Sequence, residues 1–289
     1  MVRGKRLISG PAVKTAAGRV LNRFDVQLVR RSELTVFGSH NTPKKYWNEF
    51  SQTIENLSEN YRFLDPNELT EYLGQPDDFR EGPYAMLSFD DGFANNYAVA
   101  EHLADRGIRA VFFVSTEFVN QHDSFGFYKR NILRNLPPQE LRGLPENEFE
   151  SLTPNQVAAI GDMGHTIGSH TVNHADIGEI SADDLEFELL RSREKIKEWT
   201  GRQPRYFAST FDSRGLTVQA ASQIRAVYDH HFSTLDLSNR HYGGHQVFRT
   251  NLEFYWSPEM RSYATRARTP EHLRWWAMNR SYRQRFHLG

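Results

Sequence analysis

Asp90 and Asp91 close an apolar run, Ala85-Met86-Leu87-Ser88-Phe89, and Gly92 follows them at once. The residues from Tyr84 to Phe89 show no 3.6-residue period, so they predict a strand that delivers two acids to one end of a sheet. Gly92 permits a sharp turn beyond it. Strand side chains alternate between faces only while the pleat lasts, so both carboxylates can reach one pocket where the chain leaves it. Asp-Asp-Gly alone is also ordinary turn composition. A second stretch, Gly164 to His174, changes the weighing, because His170 and His174 stand four residues apart. On a helical turn or a tight loop that spacing lets two imidazoles share a metal. Two imidazoles and one carboxylate make a three-ligand set for Zn²⁺ or a similar ion, with a position left for water. The other carboxylate is then placed to act as a base beside that water.

Ser88-Phe89-Asp90-Asp91-Gly92 and Ser169-His170-Thr171-Val172-Asn173-His174, with the order of elements between them, carry a family likeness. Over roughly residues 34 to 255 the chain resembles the polysaccharide deacetylases of carbohydrate esterase family 4, the NodB-homology group. The resemblance implies an α/β fold, a distorted (β/α) barrel of the polysaccharide deacetylase type with mostly parallel strands. It implies Asp90 as the catalytic base and Asp91, His170 and His174 as ligands of one divalent metal, zinc first, with cobalt, nickel or manganese as alternatives. Thr171 falls where the family has a small hydroxyl residue supporting the loop, and it is a substrate-binding candidate. Where the family carries an arginine followed by proline, tyrosine and glycine, or a related aromatic-proline-aromatic-glycine run, Ser209-Thr210-Phe211-Asp212 stands in its place, and Phe211 is a substrate-binding candidate. No Leu-x-His motif marks the general acid. His230, His231, His241 and His245 cluster between 230 and 245, and His245 is the catalytic candidate among them.

The elements that position these residues follow from pattern. Leu34-Thr35-Val36-Phe37-Gly38 reads as the first barrel strand, which puts His40 at a C-terminal strand end, where barrel sites are built, and makes it a substrate-binding candidate. Thr42-Pro43 and Asp65-Pro66 each start a helix, with a short strand at Tyr61–Leu64 between them. After the acids, Phe93, Tyr97, Ala100 and Ala104 are expected on one helical face, ended by Gly107. Arg109–Val114 is the next strand, and strand-helix-strand at this spacing implies parallel pairing. Residues 119 to 153 break the rhythm and predict an excursion over the barrel mouth. Pro154 starts a helix, and Ser181 with Asp184 starts the best amphipathic one, through Leu185, Leu189, Ile196 and Trp199. Strands are expected at Arg205–Ser209, at Ala226–Tyr228 with Phe232–Thr234, and at Val247–Leu252. Arg249 in the last of these is a further substrate-binding candidate.

The chain has 289 residues, 38% hydrophobic and 25% charged, as expected of a soluble globular protein of one or two domains. A formal net charge of −1 gives no electrostatic case for a nucleic-acid partner, and the absence of cysteine excludes disulfide and thiolate chemistry. The division expected is a basic arm at 1–33, the barrel at 34–256, and a basic, aromatic helical tail at 257–289. The basic start lacks a signal peptide's apolar core, being broken by Pro11, Lys14, Arg19 and Arg23. That favours the cytoplasm, with peripheral contact at the inner membrane face through the basic termini. The function expected is a metal-dependent hydrolase that removes an N-acetyl group from an amino sugar of a polysaccharide, oligosaccharide or glycan precursor. The alternatives are a deformylase of a nucleotide- or lipid-linked amino sugar and a non-catalytic sugar-binding or scaffold protein.

Overall fold

The computed structural model of the chain describes residues 11–24, 34–75, 82–133, 137–236, 239 and 245–266. The expected tail helix from Thr269-Pro270 and His241 lie outside them.

The apolar run before the two acids forms β3 (Tyr84–Phe89), buried except at its first residue. β1 (Leu34–Ser39) pairs along its whole length. β2 (Arg62–Phe63) takes the start of its other edge and β4 (Ala110–Val114) the end. The sheet continues through β5 (Thr166–Ser169), β6 (Tyr206–Ala208), β7 (His230–Ser233) and β8 (Gln246–Asn251), and every pairing is parallel. β8 then pairs with β1, so seven strands close a ring and β2 is a short addition beside it. This is the expected distorted (β/α) barrel. With all strands parallel, their C-terminal ends share one rim, where the chain leaves the sheet in loops free to carry functional groups.

Period-two alternation separates the core into two layers. Val36, Met86, Val111, Phe113, Ala208, Phe232 and Val247 fill the barrel. Phe37, Leu87, Phe89, Phe112 and Val114 pack outward beneath helices. The helices in chain order are α1 (Pro11–Phe24), α2 (Trp47–Asn60), α3 (Leu69–Gly74), α4 (Asn96–Ala104), α5 (Ser124–Phe127), α6 (Pro154–Asp162), α7 (Ala182–Thr200), α8 (Val218–Val227) and α9 (Pro258–Arg266). Thr153 and Gln156 form a reciprocal capping box at α6, and Ser181 caps α7 through Asp184 N at 3.1 Å. Each cap satisfies amide groups that the first helical turn leaves without partners.

Two expectations need correction. α4 buries Asn96, Val99, Ala100 and Leu103, not the face containing Phe93, Tyr97 and Ala104. Phe93 lies before the helix, bridged to Ser151, and its ring joins the aromatic cluster of the 119–153 excursion. Gly107 does end α4, at φ +69°, with Gly107 and Ile108 amides returning to the Ala104 and Leu103 carbonyls. Ala226 and Val227 belong to the end of α8 rather than to a strand. Thr217 caps that helix, and β7 begins only at His230. At the far end of the described chain α9 packs on the barrel. The Tyr61 hydroxyl donates to the Thr265 carbonyl at 2.6 Å, Arg261 donates to the Phe254 carbonyl, and Ala264 enters the core. Arg19 of α1 approaches Glu259 of α9 at 3.9 Å. No helix among the described residues is long and apolar enough to cross a membrane.

β5 is the strand that delivers His170, and Gly168 within it has no room for a side chain. A Cβ there would meet the Phe113 ring at 2.4 Å and the Tyr206 carbonyl at 3.1 Å. Gly168→Ala should cost about 1–3 kcal/mol of stability, the usual range for overpacking a core. A urea midpoint equal to that of the unaltered protein would show that the strands can separate freely at this level.

Candidate active site

The chain leaves β3 through a backbone that turns the two acids apart. Asp91 is left-handed at φ +75° and Gly92 follows at φ +97°, a region that non-glycine residues enter only under constraint. The Asp90 amide is still held on the Ser39 carbonyl at 2.9 Å, while the Asp91 carbonyl accepts from Ser115. Both side chains are buried, at 3% and 0% exposure, and each has its own partner.

Asp90 Oδ1 accepts from Arg249 Nη1 at 2.7 Å. Arg249, itself 5% exposed, also donates to the Ser233 carbonyl and to Ser88 Oγ. Burial works against the Asp90 carboxylate, but the Arg249 charge, with His170 and His40 farther off, holds its pKa below the ordinary value. Arg249 was expected to bind substrate. Its guanidinium lines the cavity and is ion-paired to Asp90, which it reaches from β8 across β1.

Asp91 faces the two histidines. His174 Nε2 lies 3.2 Å and His170 Nε2 3.5 Å from Asp91 Oδ1. His170 Nδ1 donates to the Ala208 carbonyl and His174 Nδ1 to the Asn131 carbonyl, both at 3.0 Å. A carbonyl can only accept, so each ring carries a proton on Nδ1 and, when neutral, turns the lone pair of Nε2 toward Asp91. Neither Asp91 oxygen has a hydrogen-bond donor, although both are buried. One ligand atom from each of the three residues lies within 4.8 Å of the others. Two lone pairs and a carboxylate converging without a donor is an arrangement that a cation completes, and this donor set suits a divalent transition metal. Burial opposes the charge on Asp91, and when the two imidazoles are protonated their N–H groups and charge outweigh it and hold the carboxyl far below the usual range.

The loop bearing the histidines is set by a carboxylate from α7. Glu188 accepts from the Val172 amide at 2.6 Å, the Asn173 amide at 3.0 Å and Asn173 Nδ2 at 2.8 Å. Thr171 and His174 are left-handed, at φ +68° and +56°, so this is a tight loop and not a helical turn. Thr171 is wholly buried, and its Oγ1 accepts from the Ala175 amide. It supports the loop and does not line the cavity, which removes it as a substrate contact.

Above these residues opens a cavity of about 350 Å³. Asp90, Asp91, His170 and His174 line it together with His40, Phe211 and Arg249. Phe211 sets the edge of its ring against His174, centroids 4.5 Å apart. His40 lies 2.5 Å from Glu253 through Nδ1, and two-fifths of its side-chain surface is exposed. Desolvation disfavours the imidazolium, but Glu253 outweighs it and raises the His40 pKa to about 10, tempered by that exposure. His245 is not in the cavity. It immediately precedes β8, at the N-terminal end of the strands and so at the opposite rim, where its Nδ1 donates to the Asp229 carbonyl. Burial pushes its pKa down to about 4, so it is neutral as well as misplaced for a general acid.

The excursion forms one wall through Tyr128, Ile132, Leu133 and Leu141. Most of its aromatics pack on one another, as Phe118 and Phe127 do at 5.3 Å. Tyr128 does both. Its phenol is pushed up to about 12 by burial and by Asp91 and Glu253, so it stays a neutral donor at physiological pH. Two functional residues escape sequence reasoning. Glu253, two residues past β8, sits where a barrel rim residue would be sought. Glu188 gave no signal, because one acid on an amphipathic helix reads as solvent-facing.

A family model described as Polysaccharide deacetylase matches residues 79–227. An uncharacterized 30.6 kDa protein of Geobacillus stearothermophilus is 28% identical over 134 residues, 46% of this chain and 37% of that protein. The peptidoglycan-N-acetylmuramic acid deacetylase PdaA of Bacillus subtilis (strain 168) is 25% identical over 119 residues, 40% of this chain and 34% of that protein. The chain therefore matches only about a third of the length of these curated relatives. The Streptococcus pyogenes deacetylase PplD, solved in complex with acetate, shares the fold, with a TM-score of 0.59 at 17% identity over 81% of this chain and 97% of that one.

The Arg249–Asp90 pair carries a pH signature. A carboxyl whose folded pKa is depressed contributes stability above its unfolded value of about 4, and loses it as pH falls through the folded value. Arg249→Met leaves Asp90 buried without its cation and should cost about 3–5 kcal/mol at pH 7. The gap to the unaltered protein, read by urea unfolding, should narrow below about pH 4. A gap independent of pH would mean that Asp90 is not the group Arg249 stabilises.

Proposed function

The chain belongs to the polysaccharide deacetylase family, and from that premise we propose that it hydrolyses the N-acetyl group of an amino sugar within a glycan. The observation that carries this reading is the division of labour between two adjacent buried acids. Asp90 is ion-paired to Arg249, and Asp91 is left facing two imidazole nitrogens. A protein that only held a metal or a sugar would have no use for a buried, ionised Asp90 beside the ligand set.

Asp91, His170 and His174 would hold the ion. When bound, a divalent metal supplies Lewis acidity toward the acyl carbonyl and lowers the pKa of water. Asp90 is kept ionised by Arg249 and has Oδ2 free of that pairing, so it accepts the proton of the attacking water. As the carbon–nitrogen bond breaks, the leaving nitrogen takes a proton from the ring of His40, whose Nδ1 side is occupied by Glu253. Acetic acid and the free amine leave, and the acid ionises to acetate in solvent. His40 is reprotonated from solvent and Asp90 returns its proton, so the balance closes. The polar floor and apolar far wall of the cavity suit a sugar ring, with hydroxyl groups at its edges and C–H faces to pack.

Three measurements bear on this. Asp90→Asn should retain its metal and lose turnover by about 10²–10⁴, the usual worth of a positioned acid–base group, with a smaller change in KM. Asp91→Asn should lose metal first. Normal turnover in Asp90→Asn would reverse the two roles or remove the chemistry. Glu253→Gln withdraws the charge that raises His40, so the basic limb of the kcat/KM profile should move to lower pH. A limb that stays in place would discard His40 as the donor. Mass spectrometry of the acid released from N-acetyl and N-formyl amino sugars identifies the acyl group, and release of formate alone would replace the acetyl reading.

A further inference from the structure

His170 and His174 differ in what aims them. His170 donates to Ala208, at the end of barrel strand β6. His174 donates to Asn131, 43 residues earlier, in the excursion. α5 runs directly into a π-turn (Tyr128–Ile132), whose defining bond joins the Leu133 amide to the Tyr128 carbonyl at 2.8 Å. The Asn131 carbonyl lies within this turn, and His174 Nδ1 donates to it. The contact is doubled, because Asn131 Nδ2 donates back to the Asn173 carbonyl at 3.2 Å. His174 itself is left-handed at φ +56°, so no regular backbone sets its direction. The hydrogen bond to Asn131 and the ring contacts with Phe211 and His170 hold it.

We propose that this π-turn positions the metal centre, with Asn131 as the positioning residue that fixes the tautomer and aim of His174. The proposal rests on the reading of Asp91, His170 and His174 as metal ligands. The affinity of the site for a divalent ion is then set partly by the excursion and not by the barrel alone. The same turn presents Tyr128 and Ile132 to the cavity, so one short element supplies both the substrate wall and the orientation of a ligand. A π-turn is a helical turn carrying one extra residue. Without that residue the following positions rotate by about 100° about the axis, and the Asn131 carbonyl points elsewhere.

The test is Zn²⁺ affinity by chelator competition, together with the visible spectrum of the Co²⁺ form, measured on the full chain. Asn131→Gly removes the amide strap and frees the backbone that holds the carbonyl. Deletion of the exposed Lys129 removes the extra residue. Both should weaken Zn²⁺ binding about 10–100-fold, the range typical of losing a histidine's orienting partner, and should change the Co²⁺ spectrum. Arg142→Ala alters an exposed residue of the same excursion that donates to the Pro137 carbonyl, and should leave both unchanged. Zn²⁺ bound by Asn131→Gly as tightly as by the unaltered protein would overturn the proposal, as would an equal loss in Arg142→Ala. If the Lys129 deletion does not fold, Asn131→Gly decides. An unaltered chain that binds no Zn²⁺ would remove the metal reading itself, an outcome distinct from either variant's failure.

Discussion

Asp90 and Asp91 are consecutive in the chain and almost wholly removed from water, which on its own sets two like charges side by side where neither is solvated. The arrangement persists because each faces a different part of the molecule. Arg249 reaches Asp90 from β8, and the histidine loop beyond β5 presents two imidazoles to Asp91. The left-handed turn at Asp91 keeps the two systems apart. If both acids faced the same way, the guanidinium would sit among the ligands and repel any ion bound there. Charge separation over one peptide bond is thus what the surrounding strands, loops and caps have to maintain.

Much of the supporting structure acts to hold backbone that would not hold itself. Asp91, Thr171, His174 and Phe211 are all non-glycine residues at positive φ, each an unfavourable conformation. They are kept in place by buried hydrogen bonds. Glu188 gathers three donors of the histidine loop, the Thr210 hydroxyl donates to the Ala175 carbonyl, and Ser115 and Thr116 tie the loops after β4 to those after β3 and β5. A buried carboxylate with three donors is well satisfied and rigid. The same loop in water would have no reason to adopt this shape.

The legible parts of this molecule were those written locally. Asp90-Asp91-Gly92 and the histidine pair are each contiguous, their strands are apolar runs without helical period, and the caps at Thr153 and Ser181 are short motifs. Parallel pairing followed from strand-helix-strand spacing, and with it the side of the barrel that would carry the site. What could not be read were pairings across the sheet. Arg249 lies 159 residues from Asp90 and Glu253 lies 213 from His40, and nothing in either neighbourhood announces a partner. His245 shows how narrow the margin is. It stands one residue before β8 begins, whereas Glu253 stands two residues after it ends, and the length of one strand separates the two rims. Phe93 was placed on α4 because its spacing fits a helical face, but the turn after the acids consumes those residues first.

The ring closes where β1 meets β8, with β3 on the other side of β1. This seam runs through the reactive pocket, since His40 follows β1 and both Arg249 and Glu253 come from β8 or just beyond it. During synthesis the strands from β3 to β7 emerge in order, each able to find a neighbour already made, but Asp90 waits for its cation until the last strand arrives. Such late, long-range closure slows folding. It also means that a chain interrupted before β8 carries Asp90 without its cation, together with an open edge, a species more exposed to aggregation and proteolysis than the finished ring. Completion of the barrel and completion of the buried Asp90–Arg249 pair are therefore one event.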